Sequence, residues 1–157
     1  SRSELNPLLK STIMQTDPRL GSYLSRALSH EMAAVQQYLL QAKLTSMWGL
    51  SAQSARFRQD VSGELAHAER LMERMLILGI PCNATQLPPA RPGRTLEEML
   101  HSDRLLEIEA IRLYEEAALY CGRRQDGETQ ALMLAIMEDE LSHLQDLDQQ
   151  LSALPKG

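Results

Sequence analysis

An all-α fold, a four-helix bundle with a long crossover between its second and third helices, is what this sequence predicts, and three observations carry that reading. Aromatic residues are only 4% of the 157, while Leu, Ala and eight Met supply much of the 43% apolar content. That mix favours helices packed on helices over strands, which draw on β-branched and aromatic side chains. Helix breakers are confined to a few places, and between them apolar residues recur at spacings of three and four, the period of a helix with one buried stripe.

The elements follow in order. Asp17-Pro18 reads as a helix start, Asp as N-cap and Pro in the first turn, and nothing interrupts the pattern until about Trp48. Gly49 to Ser51 is a turn, and a second helix runs from about Ser51 to Leu78. The stretch GIPCNATQLPPARPGR, Gly79 to Arg94, is proline-rich and reads as a linker. Thr95, followed by Glu97 and Glu98, restarts a helix that reaches about Cys121. Gly122 to Gly127 is a turn, and the last helix spans Gln130 to about Leu151. The expected organisation is an N-terminal extension over 1–16, one bundle over 17–152 and a tail over 153–157. Two short turns and one long central connection specify an overhand bundle.

Each expected stripe contains an acid. Glu31 falls among Leu24, Leu28, Val35, Tyr38 and Ala42; Glu64 among Phe57, Val61, Ala68, Leu71, Met75 and Leu78. Asp103 and Glu107 sit among Leu96, Leu100, Ile111, Tyr114 and Ala118. Glu140 and His143 sit among Met133, Ile136, Met137, Leu144 and Leu147. Buried carboxylates must be protonated, paired or metal-bound, and no basic residue shares these stripes. A metal is the economical partner.

The chain also repeats itself. Glu-Leu-X-His occurs at Glu64–His67 and again at Glu140–His143, 76 positions on. The same shift aligns EMAAVQQY, beginning at Glu31, with EIEAIRLY, beginning at Glu107. Two helical hairpins of one design, related by a pseudo-twofold axis, would bring Glu31, Glu64 and His67 opposite Glu107, Glu140 and His143. Glu and His three residues apart share a helical face. One Glu from each of two helices and Glu-X-X-His from the other two is the donor set of ferritin-like di-iron and di-manganese carboxylate sites. Glu64 and Glu140 are placed to bridge, with Glu31 and His67 completing one metal and Glu107 and His143 the other. Four carboxylates neutralise two divalent ions. Oxygen-rich ligation with one imidazole per ion suits Fe(II), with Mn(II) possible, over a closed zinc site.

The blander reading of a single Glu-X-X-His is a solvated helix face; six such residues at one repeated offset are what favour metal. His30 and His101 lie outside the constellation. Tyr38 and Tyr114 read first as core tyrosines, Asp103 and Asp139 as acceptors for the imidazole N–H groups, and the Met residues as gap-fillers.

A formal charge of −5 leaves no basic face for nucleic acid. Two cysteines cannot make a disulfide framework, and no run of about 18 apolar residues offers a membrane span. SRSELNPLLK lacks the apolar stretch of a signal peptide, so a cytoplasmic setting is expected.

The sequence resembles the bacterioferritins over roughly Asp17 to Leu151, through the six donors, HEMAAVQQYLLQAKLTSMWGL, HAERLMERMLIL and EEMLHSDRLLEIEA. The resemblance implies that Glu31, Glu64, His67, Glu107, Glu140 and His143 form a ferroxidase centre with Tyr38 beside it. It also implies Fe(II) oxidation by dioxygen or peroxide, and homo-oligomers from a dimer up to a 24-subunit iron-storing shell. Departures from the family pattern are specific. Leu65 replaces the Met that holds haem, so haem is not expected, with Met32 and Met72 the weak alternatives. Gln59 and Gly63 replace a His and an Asp that serve iron at the cavity surface. The 14 residues after His143 do not contain the family's short fifth helix. Two alternatives therefore stand beside storage: a small di-iron oxidase or oxygenase acting on an organic or protein substrate, and a non-enzymatic companion subunit.

Overall fold

The computed structural model describes residues 17–83 and 87–156; the expected N-terminal extension lies outside them. Four helices account for the bundle: α1 (Pro18–Met47), α2 (Ser51–Leu78), α3 (Leu96–Arg123) and α4 (Gly127–Ala153). There is no strand among the described residues. The helices pack as two hairpins, α1 on α2 and α3 on α4, with α1 also against α3 and α2 against α4.

The caps explain the boundaries. Asp17 accepts hydrogen bonds from the Arg19 and Leu20 amides, and Thr95 accepts from the Glu98 amide while Glu98 reaches back to the Arg94 amide. These satisfy N–H groups that the first turn leaves free. α2 ends at Gly79, whose φ of 72° is the left-handed conformation glycine adopts without steric cost. α4 begins earlier than its glycine suggested, because the Asp126 side chain accepts from the Thr129 amide and makes Gly127 the first helical residue. α3 runs on through Gly122, where a Cβ would come within 2.5 Å of Gln130 Nε2. Glycine there lets α3 and α4 approach closely, and Gln130 donates to the Ala118 carbonyl.

Hydrogen bonds between α1 and α3 run from Tyr120–Asp17 at one end to Gln37–Asp103 at the other, so those helices are antiparallel. The crossover from Leu78 to Leu96 must therefore travel the length of a 28-residue helix, about 42 Å at 1.5 Å per residue. Its 17 intervening residues are enough to cover that distance, since a chain can reach up to roughly 3.3 Å per residue; the prolines in this stretch cannot continue a helix.

The apolar core is divided in two. One cluster holds Leu24, Leu28, Leu71, Met75, Met133 and Ile136 with Tyr23, Tyr114 and Tyr120. A smaller one holds Ala42, Phe57, Met99, Leu100 and Leu147. Between them lies a layer of buried acids. Of the expected stripe residues, Val35, Val61, Leu96, Ile111, Met137 and Leu144 are only half-buried; the stripes are right in phase and slightly too wide.

Candidate metal centre

Glu31, Glu64, Glu107 and Glu140 are all buried, at most 3% exposed, as their places on the apolar stripes predict. Packing of the hairpins buries them. α1 and α3 each contribute one Glu, and α2 and α4 each contribute Glu and His one turn apart. Their donor atoms form two groups, each with every atom within 4.8 Å of the others: Glu31, Glu64, His67 and Glu140, and Glu64, Glu107, Glu140 and His143. Glu64 and Glu140 belong to both. Glu31 and His67 fall in one group only, and Glu107 and His143 in the other only.

The imidazoles are oriented from outside the cluster. His67 Nε2 lies 2.9 Å from Asp139 Oδ2, and as a carboxylate can only accept, the ring nitrogen donates. Its other nitrogen, Nδ1, then faces inward, 2.9 Å from Glu140 Oε1, 3.4 Å from Glu64 and 3.6 Å from Glu31. His143 is placed similarly, although no hydrogen bond forms at its Nε2: that atom lies 3.1 Å from Asp60 Oδ1, and Nδ1 is 3.0 Å from Glu107 and 3.6 Å from Glu64.

A neutral imidazole so held turns a lone pair toward carboxylate oxygens that are themselves acceptors. Something positive must stand between them, a proton or a metal ion. The buried atoms without a hydrogen-bond partner make the same point, since they include Glu31 Oε2, Glu107 Oε2, Glu140 Oε1 and His67 Nδ1. The donor set fits a pair of cations.

Protons act as counter-ions in the metal-free protein. Burial first, and then the hydrogen bond shared with Glu31, push the Glu64 carboxyl up to about 8. Burial would raise Glu31 as well, but its interactions with Glu64, His67 and Tyr114 outweigh that and hold it below its ordinary value. Burial opposes charging of His67, yet Glu31, Glu64 and Asp139 raise it to about 10. Against the same opposition, Asp60, Glu107 and Glu64 raise His143.

Both tyrosines touch the cluster. Tyr38 donates to Glu107, and its ring meets His143 edge-on at 5.6 Å; Tyr114 donates to Glu31 at 2.5 Å. A cavity of about 200 Å³ between α2 and α4 reaches the centre, with Gln59, Asp60, Gly63 and Asp139 at its rim and Glu64, His67, Glu140 and His143 beneath.

One expected role is corrected. Asp103 does not accept from an imidazole; its Oδ1 takes hydrogen bonds from Gln37 at 2.8 Å and Gln41 at 2.6 Å, tying α1 to α3. Burial raises its carboxyl to about 7. The carboxylate paired with His143 Nε2 is Asp60, at 3.1 Å, which the sequence reading missed. Its position four residues before Glu64, one helical turn away on the same face, was the available signal. His30 donates to the Leu106 carbonyl at 3.0 Å, and exposed His101 stands by Glu97; neither joins the cluster.

Fold and site together define a helical-bundle protein with an internal carboxylate–imidazole centre of two overlapping halves. The family model for the ferritin-like domain matches residues 22–156. A bacterioferritin of Mycolicibacterium paratuberculosis is 33% identical over 144 residues, 91% of this chain and 90% of that protein. A bacterial ferritin of Synechocystis sp. is 34% identical over 144 residues, 91% of this chain and 92% of its own length. A bacterioferritin of Rhodobacter capsulatus is 31% identical over 139 residues, 88% of this chain and 86% of that one. The chain belongs to the ferritin-like family and, within it, is bacterioferritin-like.

Proposed function

We propose that this protein is a bacterioferritin-like ferroxidase: it binds two Fe(II) ions per chain at Glu31, Glu64, His67, Glu107, Glu140 and His143, oxidises them with dioxygen or peroxide, and serves iron storage and detoxification. The observation that carries the reading is the pair of overlapping donor groups sharing Glu64 and Glu140. Relatives matched over nine-tenths of their length as bacterioferritins favour it over a small organic-substrate oxidase or a companion subunit.

The chain's own residues do the following. Asp60 and Asp139 give the rim of the cavity negative charge and so favour entry of cations. At the centre, His67 and His143 give up their Nδ1 protons to become ligands while each ring keeps its Nε2 proton toward Asp139 or Asp60, which keeps it aimed. Four buried carboxylates stabilise the 3+ state of the substrate more than the 2+ state, which lowers the cost of removing one electron from each ion. Tyr38, placed at the centre by resemblance and bonded to Glu107, holds that carboxylate and stays protonated, because burial first and then Glu107 raise its phenol well above the ordinary value. Mn(II) suits the same donors, and competition with Fe(II) distinguishes the two.

Haem does not fit the expected position. Leu65 is 47% exposed on α2 and offers no donor atom, while Met32 and Met72 pack against the inner apolar cluster; a haem-free protein is the reading. Leu39, Leu40 and Met47 on α1, its C-cap Trp48, and Leu76 and Ile77 on α2 are exposed apolar side chains, which suits burial against further copies of the chain. No helix among the described residues is long and apolar enough to cross a membrane, in keeping with a cytoplasmic protein.

Titration with Fe(II) under air, with particle mass followed by light scattering, tests the storage half. A large homo-oligomer taking up many more iron atoms than two per chain is expected. A dimer that saturates at two would move the assignment to a small oxidase.

A further inference from the structure

We infer that Tyr114 is a positioning residue of the metal centre, the partner of Tyr38 in a reciprocal pair in which each half of the molecule fixes the terminal carboxylate of the other. The inference rests on the reading of the cluster as a two-ion site and adds to it a residue that the sequence leaves in the apolar core.

The hydrogen bonds are reciprocal, with one difference: the Glu107 Oε1 that accepts from Tyr38 also lies 3.0 Å from His143 Nδ1, and Glu107 Oε2 has no partner. Tyr38 on α1 donates to Glu107 on α3, and Tyr114 on α3 donates to Glu31 on α1 at 2.5 Å. Both rings are wholly buried. The two residues occupy equivalent places in the internal repeat, as do the two acids. A buried phenol must find an acceptor, and each finds a carboxylate across the interface between hairpins.

The bond decides which oxygen is free. Glu31 Oε1 is occupied by Tyr114, whereas Oε2 has no partner and lies 3.6 Å from His67 Nδ1, inside the donor group. The carboxylate is thereby held with one oxygen outward to the phenol and one inward to the ion. A carboxylate can only accept, so the Tyr114 hydroxyl is the donor in this bond. It steadies Glu31 without adding a positive charge that would repel the cation; Arg or Lys at 114 would bring that charge.

Co(II) provides the test, because its visible absorption reports ligation independently of iron oxidation. In the wild-type protein two Co(II) ions per chain are expected. Tyr114→Phe keeps the ring and removes the hydroxyl. It should weaken the ion held by Glu31 and His67 by about 10–100-fold, the usual cost of losing a group that orients a ligand, and leave the Glu107 and His143 ion nearly unchanged. Tyr38→Phe should do the reverse. A role in packing alone would lower thermal stability without this one-sided loss. Wild type failing to bind two ions would overturn the two-ion reading itself. Wild type binding two while Tyr114→Phe binds both with unchanged affinity would overturn only the role of Tyr114. Should Tyr114→Phe not fold, 3-fluorotyrosine in place of Tyr114 reads the same contact with Zn(II). Its fluorine resonance must shift as the first ion enters, and a resonance indifferent to Zn(II) contradicts the inference.

Discussion

Glu64→Ala is expected to remove both ions, not one. Glu64 belongs to each donor group, so its loss leaves both halves short of a bridging oxygen and leaves His67 and His143 facing an enlarged gap. Iron bound under anaerobic conditions should fall from two per chain to below one, and Fe(II)-dependent oxygen consumption should fall by more than about 100-fold, beyond the loss seen when only an orienting group is removed. Helical content measured by circular dichroism should stay near wild type, because in the metal-free protein this carboxyl is raised by burial and contributes no favourable charge to the fold. Glu140→Ala should behave in the same way. Unchanged iron stoichiometry in either variant is incompatible with the bridging role.

The second large effect is thermal, and its sign with pH can be worked out. His67 titrates near 10 in the folded protein, above its ordinary range, so the stability it contributes is complete below about 6.5 and is lost as pH rises through 10. Glu64 at about 8 also binds its proton more tightly folded than unfolded, so from about 4.5 up to 8 rising pH again costs stability. Both act in one direction: the metal-free protein should melt at progressively lower temperature between pH 6 and 9. Cations replace those protons, so the loaded protein should show little of this slope. At free metal 100-fold above Kd each ion adds about 2.7 kcal/mol, and at about 2–4 °C per kcal/mol for a chain of this size two ions give a Tm increase of roughly 10–20 °C. The increase should be larger at pH 8.5 than at pH 6.5. Loading near pH 7 should also release protons, one each from His67, His143 and Glu64, detectable by calorimetry in buffers of different ionisation enthalpy. A Tm indifferent to metal, or a slope of opposite sign, contradicts the proposed exchange of protons for ions.

Much of this was legible from the residues, and the internal repeat explains why. The 76-residue shift preserves the six candidate donors and both tyrosines, so a spacing argument groups the candidates by halves, while the tyrosines still read as core residues. Outside that inner set the repeat has decayed. The counterpart of Asp60 is Ile136, that of Asp139 is Gly63, and that of Asp103 is Ala27. Outer groups therefore follow no offset; which acid meets which imidazole depends on how α2 and α4 are set against each other, and this emerges only from packing. Asp103 illustrates the error that follows. It lies on the right face of α3, one turn from Glu107, but Gln37 and Gln41 reach it first from α1. Helix boundaries were read well where a cap was obvious, as at Asp17 and Thr95. They were read short at Gly127, where a glycine taken as a breaker sits behind an Asp cap.

The split core has a functional consequence. With apolar clusters on either side of the acid layer, the helices are gripped above and below the centre. Rigid support of this kind keeps ligands aimed before the ion arrives.

The central claim is most directly tested by anomalous diffraction from crystals soaked in Fe(II) without oxygen. Two iron peaks are predicted inside the bundle, both touching Glu64 and Glu140, one also touching Glu31 and His67 and the other Glu107 and His143. No interior peak, or iron held only by Asp60 and Asp139 at the mouth of the cavity, would contradict it.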